Sequence, residues 1–137
     1  MMNVLLWLAQ NYKFFRENFV INHMKLLMAD SPTKYGEDIA VVEGAVSSKK
    51  QLSEIKEIRK NAKILVAIGS CAITGAPSNN RNFLDDEEIR YYVKKFKQLE
   101  KVVSIKEVVN VDYELMGCPI SVESFNTLIK QIIEKGI

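Results

Sequence analysis

The sequence predicts an α/β fold, a parallel sheet with helices on both faces. Three observations lead there. Residues 38–42 (DIAVV) and 64–68 (ILVAI) are short continuous apolar runs, the pattern of strands buried on both faces. Each run closes in a small-residue turn, Glu43-Gly44-Ala45 and Gly69-Ser70-Cys71. Segments of helical periodicity separate the strands, and such alternation with short connections implies parallel strands joined by right-handed crossovers.

Taken in chain order, residues 3–18 form an amphipathic helix, with Leu5, Leu8, Tyr12 and Phe15 at helical spacing. Its apolar face packs on the core or on a partner. Its polar face carries too little Lys and Arg for a membrane-surface helix. Lys13 and Arg16 follow the apolar run rather than precede it, and there is no small-residue cleavage site, so this is no secretory signal. The run is too short to span a membrane. Residues 19–27, with β-branched Val20 and Ile21, read as a strand, and residues 30–37, with Ser31, Pro32 and Gly36, as a loop. After strand 38–42, Ser48 stands three residues before Gln51 in capping-box spacing. The helix it opens buries Leu52, Ile55 and Ile58, keeps Glu54, Lys56, Glu57 and Lys60 wet, and runs to about Asn61.

Strand 64–68 follows. Residues 74–82 hold Gly75, Pro77, Ser78 and three asparagines and read as a loop. Asp85, Asp86, Glu87 and Glu88 place negative charge in the first turn of the next helix, where the dipole favours it. Ile89, Tyr92, Val93, Phe96 and Leu99 give that helix its apolar face. Residues 102–111 are β-rich but broken by Lys106, Glu107 and Asn110, which predicts one or two short, less buried strands. Residues 113–116 lead into Gly117-Cys118-Pro119. Ser121 caps a last helix with Phe125, Leu128, Ile129, Ile132 and Ile133 as its core stripe. Without repeat, low-complexity stretch or linker, residues 1–137 read as one domain, 1–18 being its atypical N-terminal helix.

Composition narrows the function. Nineteen Lys and Arg against seventeen Asp and Glu leave a net charge of +2, too small and too evenly spread for a nucleic-acid footprint. Two cysteines, Cys71 and Cys118, exclude a disulfide scaffold and any self-contained site of four thiolates. A single histidine, His23, excludes a His-rich metal centre.

The two cysteines nevertheless belong together. Parallel strands put their carboxyl ends on one edge of the sheet, where ligands of such folds sit. Val42-Glu43-Gly44-Ala45, Ile68-Gly69-Ser70-Cys71 and Met116-Gly117-Cys118-Pro119 share one layout, strand then small-residue turn. Glu43, Cys71 and Cys118 should therefore converge, although 47 positions separate the cysteines. Gly69 and Gly117 let backbone approach a ligand closely, and Pro119 fixes the exit and removes a donor. Two cysteines at such an edge suit thiolate ligation of a soft metal or an iron–sulfur cluster. The alternative is two ordinary buried cysteines, or a disulfide. Glu43 either solvates its turn or serves the site as proton carrier or acceptor. His23 reads as a packed or surface residue. Asp112, Tyr113 and Glu114 are expected to line the approach to the Cys118 turn. The GSCAITGAP segment lacks the Lys-Ser/Thr of a phosphate loop.

DIAVVEGAVSS (38–48), AKILVAIGSCAITGAP (62–77) and VDYELMGCPI (111–120) together resemble the small subunits of nickel–iron hydrogenases. That family includes the 20-kDa-type subunit of respiratory NADH:quinone oxidoreductase. The flavour is that of the cytosolic methanogen-type gamma or delta subunit, which pairs with heterodisulfide reductase or deazaflavin-reducing partners. The resemblance implies a flavodoxin-like domain carrying a [4Fe–4S] cluster at the interface with a large subunit, and a role in relaying electrons to iron–sulfur or flavin subunits in the cytoplasm. It implies no membrane span and no catalysis by this chain alone. Carried over by motif, Cys71 and Cys118 are metal ligands, and Glu43, Gly69, Gly117 and Pro119 surround the cluster. The sequence departs from the family in having no cysteine before Cys71, where a pair is usual, and in Ala76 and Ile120. The ligand set is thus two of four. A partner chain, His23 or Asp30, or two-fold symmetry in a homodimer would complete it. Otherwise the site is empty, the chain being either a truncated product or a non-catalytic partner-binding module. An unrelated flavodoxin-like binder is a third, more distant reading.

Overall fold

A computed structural model describes residues 9–21 and 36–136. Residues 3–8 of the expected N-terminal helix, most of the expected strand 19–27, and His23 and Asp30 lie outside these residues.

Three strands, β1 (Glu37–Glu43), β3 (Ala62–Ile68) and β5 (Tyr113–Leu115), form a parallel sheet in the order β1-β3-β5. In register, Glu43 stands beside Ile68 and Ile68 beside Leu115. The three carboxyl ends are therefore level, and the turns that follow leave from one edge. The central strand β3 is the most apolar, and Leu65, Val66, Ala67 and Ile68 are all buried. Its alternating side chains feed two cores. Leu65 and Ala67 join Ala40, Ile55, Ile73 and Ile105 on one face. Val66 and Ile68 join Ile120, Phe125, Ile129 and Ile132 on the other. Helices cover both faces, as the sequence predicts: α2 (Lys49–Asn61) on the first, and α5 (Val122–Glu134) on the second.

Each helix starts where a side chain can take up orphan amide groups. Ser48 Oγ accepts from Gln51 N at 3.2 Å while Gln51 Oε1 accepts from Ser48 N at 3.2 Å, completing the capping box of α2. Asp85 Oδ1 accepts from Glu87 N and Glu88 N at the head of α4 (Asp86–Phe96). Ser121 Oγ accepts from Ser124 N at the head of α5. At the N-terminus, α1 (Tyr12–Asn18) packs Phe14 against the α5 face. Phe14 meets Phe19 edge-on at 6.1 Å, Lys130 Nζ lies 5.9 Å from its ring centroid, and Asn126 donates to Asn11.

Several local expectations change. Residues 19–21 are not in a strand. A strand β2 (Val46–Ser48) pairs antiparallel with β4 (Gln98–Val103), a ribbon the apolar pattern did not announce because β2 has three residues and runs straight into its helix cap. Helix α4 therefore stops at Phe96, with Lys97 left-handed at φ 51°, and Leu99 belongs to the ribbon. Residues 104–111 are not a strand. Ser104 and Ile105 are buried, and Val108 N and Val109 N both donate to Ile105 O in a tight turn. The expected loop 74–82 is structured in its second half as a 3-10 helix (Ser78–Phe83), pinned to β4. There Asn82 exchanges two hydrogen bonds with Val102, and Arg81 donates to Leu99 O at 2.7 Å.

Candidate functional site: a two-cysteine cleft

The carboxyl edge of the sheet opens into a cleft of about 100 Å³. Glu43, Gly69, Cys71, Gly117, Cys118 and Pro119 all line it, together with Gly44, Ile68, Ser70 and Ile120. Level strand ends bring them there. The turn after β3 winds into a five-residue helix, α3 (Ser70–Thr74), which carries Cys71 in its first turn. Gly69 precedes it at φ 84°, a conformation that L side chains rarely adopt.

The second turn is tied to the first through the main chain. Gly69 N donates to Leu115 O at 2.9 Å, and Ser70 N donates to Gly117 O at 3.1 Å. Gly117 admits no side chain. Its φ is 146°, and a Cβ there would meet Pro119 O at 2.8 Å and Ile120 Cα at 2.9 Å, both main-chain atoms. The Cys118–Pro119 peptide is cis. Both thiols are free, Cys118 exposed and Cys71 half-buried, so neither is a core residue and no disulfide joins them.

Sequence reasoning missed one contact. Ser78 Oγ donates to Cys71 Sγ at 3.3 Å, from the first turn of the 3-10 helix. Thr74 Oγ1 donates to Ser70 O at 2.9 Å and accepts from Ala76 N at 3.2 Å, shaping the backbone between them. The only sequence signal was a hydroxyl seven residues beyond the cysteine in a segment that read as a connector.

One group of expected neighbours is elsewhere. Asp112, Tyr113 and Glu114 do not line the cleft, because β5 carries them on its body and amino end, and the carboxyl edge begins only after Leu115. Asp112 instead braces the far end of the sheet. Its carboxylate accepts from Leu65 N at 2.8 Å and from Arg59 Nη1 at 2.5 Å, and the same guanidinium donates to Ala62 O and Lys63 O. Burial raises the Asp112 carboxyl, but the Leu65 N–H and the Arg59 guanidinium outweigh it and hold it below the ordinary range. Glu114 pairs with Lys106 at 3.6 Å, and Lys135 Nζ lies 5.5 Å from the Tyr113 ring centroid.

A [4Fe–4S] cluster takes four cysteine thiolates. This chain brings two to the cleft and has no others. Among the described residues no three His, Cys, Asp or Glu side chains are grouped to hold a metal ion. The donor set of residues 1–137 therefore does not fit such a cluster by itself.

The family model of the NADH ubiquinone oxidoreductase 20 Kd subunit matches residues 2–132. An uncharacterized protein of Methanocaldococcus jannaschii is 38% identical over 100 residues, covering 72% of this chain and 42% of the relative. The gamma subunit of the coenzyme F420 hydrogenase of Methanosarcina barkeri is 36% identical over 88 residues, covering 63% of this chain and 31% of the relative. The chain thus spans less than half the length of either relative. Among solved structures, a chain in the crystal structure of an NAD+-reducing [NiFe]-hydrogenase in the H2-reduced state superposes with a TM-score of 0.79 at 28% identity. That match covers 93% of this chain and 82% of the other.

Proposed function

The chain belongs to the NADH ubiquinone oxidoreductase 20 Kd subunit family, and from that premise we propose that it is an electron-transfer small subunit of a hydrogenase-like complex. In this reading it docks on a large subunit that holds the active site and lies between that site and further iron–sulfur or flavin subunits, in the cytoplasm. One observation carries the reading: Glu43, Cys71 and Cys118, far apart in sequence, line one cleft at the level carboxyl ends of β1, β3 and β5. Names of relatives support the setting, since the coenzyme F420 hydrogenase gamma chain and the NAD-reducing hydrogenase HoxS delta chain are both named as subunits. Catalysis belongs to another chain. What these residues supply is a rigid, glycine-lined edge that presents two thiols and a carboxylate outward.

Co-expression under anaerobic conditions with a hydrogenase-like large subunit, followed by size-exclusion chromatography, checks the docking. A stable one-to-one complex is expected. A chain that elutes alone at micromolar concentration overturns the reading.

The incomplete donor set favours a second reading, in which the chain docks without carrying a cluster and acts as a non-catalytic module. Iron analysis of the purified complex separates the two: iron that is lost on Cys71→Ser or Cys118→Ser supports electron transfer, and an iron-free complex supports the module.

A further inference from the structure

We infer that helix α4 pairs with its own copy, antiparallel about a two-fold axis, through the face that carries Glu88, Tyr91, Tyr92 and Lys95. The pairing is independent of the proposed redox role, and none of these residues lines the two-cysteine cleft.

Helix α4 is poorly covered. None of its residues is buried, and among the described residues its main neighbour is β4 alone. Within the helix only Ile89 and Val93 are half-buried. Three aromatic side chains stay outside: Tyr91 is 52% exposed, Tyr92 37% and Phe96 51%. They form one continuous ridge. Tyr91 meets Tyr92 edge-on at 5.6 Å, and Tyr92 stacks on Phe96 at 5.9 Å. Single exposed apolar residues are ordinary on a protein surface, whereas a contiguous patch marks a place where something docks. Aromatic residues are enriched where proteins meet.

The charges around the ridge identify what docks. Positions 88, 91, 92 and 95 are spaced i, i+3, i+4 and i+7, so they share one helix face. A carboxylate stands at one end of this face, an ammonium at the other, and two tyrosines between them. Both charged side chains are exposed. Lys95 is held in place: its Nζ donates to Tyr91 Oη and lies 4.8 Å from the Tyr91 ring centroid and 5.3 Å from that of Phe96. Turned end for end, this face is its own complement. In an antiparallel pair centred between Tyr91 and Tyr92, Glu88 of each copy meets Lys95 of the other, and the tyrosines pack at the axis. Such self-complementarity is what a two-fold interface between identical copies requires, since every contact occurs twice. The neighbouring turns repeat the pattern, with Asp85, Asp86 and Glu87 before the ridge and Lys94 and Lys97 after it. The same carboxylates argue against an anionic lipid surface or a nucleic acid, which take a helix of one positive sign. A face of one 11-residue helix makes a small, weak interface, below about 1,200 Å² in total.

Sedimentation equilibrium of the full chain, in a phosphine reductant so that no intermolecular disulfide contributes, tests the pairing. A monomer–dimer equilibrium is expected, weakened by salt. Glu88→Lys puts a lysine at both ends of the face, and Lys95→Glu puts a carboxylate at both. Each single variant is expected to weaken the dimer about tenfold, because each reversal acts at two symmetry-related contacts. Mixing the two single variants is expected to restore association as a heterodimer, and combining both reversals in one chain is expected to restore the homodimer. Tyr91→Ala is expected to weaken it by about tenfold or more. All these variants should keep the wild-type circular dichroism, since every altered side chain is exposed. A chain that stays monomeric up to its solubility limit overturns the inference. So does a dimer that neither single reversal weakens, or one that the mixture fails to restore. Co-sedimentation of a monomeric chain with vesicles of anionic phospholipid assigns the face to a lipid surface and overturns it likewise. Complex formation with the large subunit, read by chromatography, stands or falls separately.

Discussion

At Gly117 a single hydrogen atom decides whether the cleft exists. The turn after β5 folds back so tightly that a methyl group there would press on main-chain atoms, which cannot rotate aside. Gly117→Ala is expected to destabilise the fold by about 1–3 kcal/mol, through strain and overpacking, as read from the urea midpoint. The residues that line the cleft were largely legible in sequence, because glycine and proline beside a cysteine at a strand end announce a turn. Ser78 was not legible, because its role depends on where a 3-10 helix swings back, which no local pattern records. Asp112 misled for a related reason. Sequence adjacency to Cys118 suggested the cleft, whereas a short parallel strand carries the two residues to opposite ends. Asp112→Ala is expected to cost about 2 kcal/mol, since it strands the Leu65 amide and removes the carboxylate partner of Arg59. Chemical denaturation at pH 7 measures it.

Among the elements, those with strong caps and two-sided burial were the readable ones. Strand β3 and helices α2 and α5 are where the sequence puts them, because continuous apolar runs and Ser caps leave few alternatives. The β2–β4 ribbon was unreadable, because its stabilisation comes from pairing across about fifty residues rather than from its own pattern. Two changes test this division. Ser48→Ala removes the reciprocal cap of α2 and is expected to cost about 1 kcal/mol in thermal or urea unfolding. Phe125→Ala empties a fully buried position of α5 and is expected to cost about 3–5 kcal/mol.

The molecule as a whole has an acid-sensitive side. Hydrogen bonds from Ser104, side chain and main chain, hold the Glu107 carboxyl below its ordinary value, and Asp112 is likewise lowered. Groups lowered on folding bind fewer protons folded than unfolded. Their contribution is therefore complete above the unfolded values, near 4, and is lost as pH falls through the lower folded ones. Stability is expected to drop as pH falls below about 4, and the drop should be shallower in Asp112→Asn, as followed by urea midpoints on the acid side. Neither carboxylate lines the cleft, so this loss is one of scaffold rather than of site. Among the described residues no helix is long and apolar enough to cross a membrane.

The main-chain bonds from Gly69 and Ser70 to the neighbouring turn make the cleft its own reporter. Amides at the rim of an open cleft ordinarily exchange with solvent deuterium quickly, but these two are committed to Leu115 and Gly117 carbonyls. They exchange only when the two turns separate. Their deuterium uptake therefore clocks the integrity of the paired turns directly, with no ligand needed to report on them.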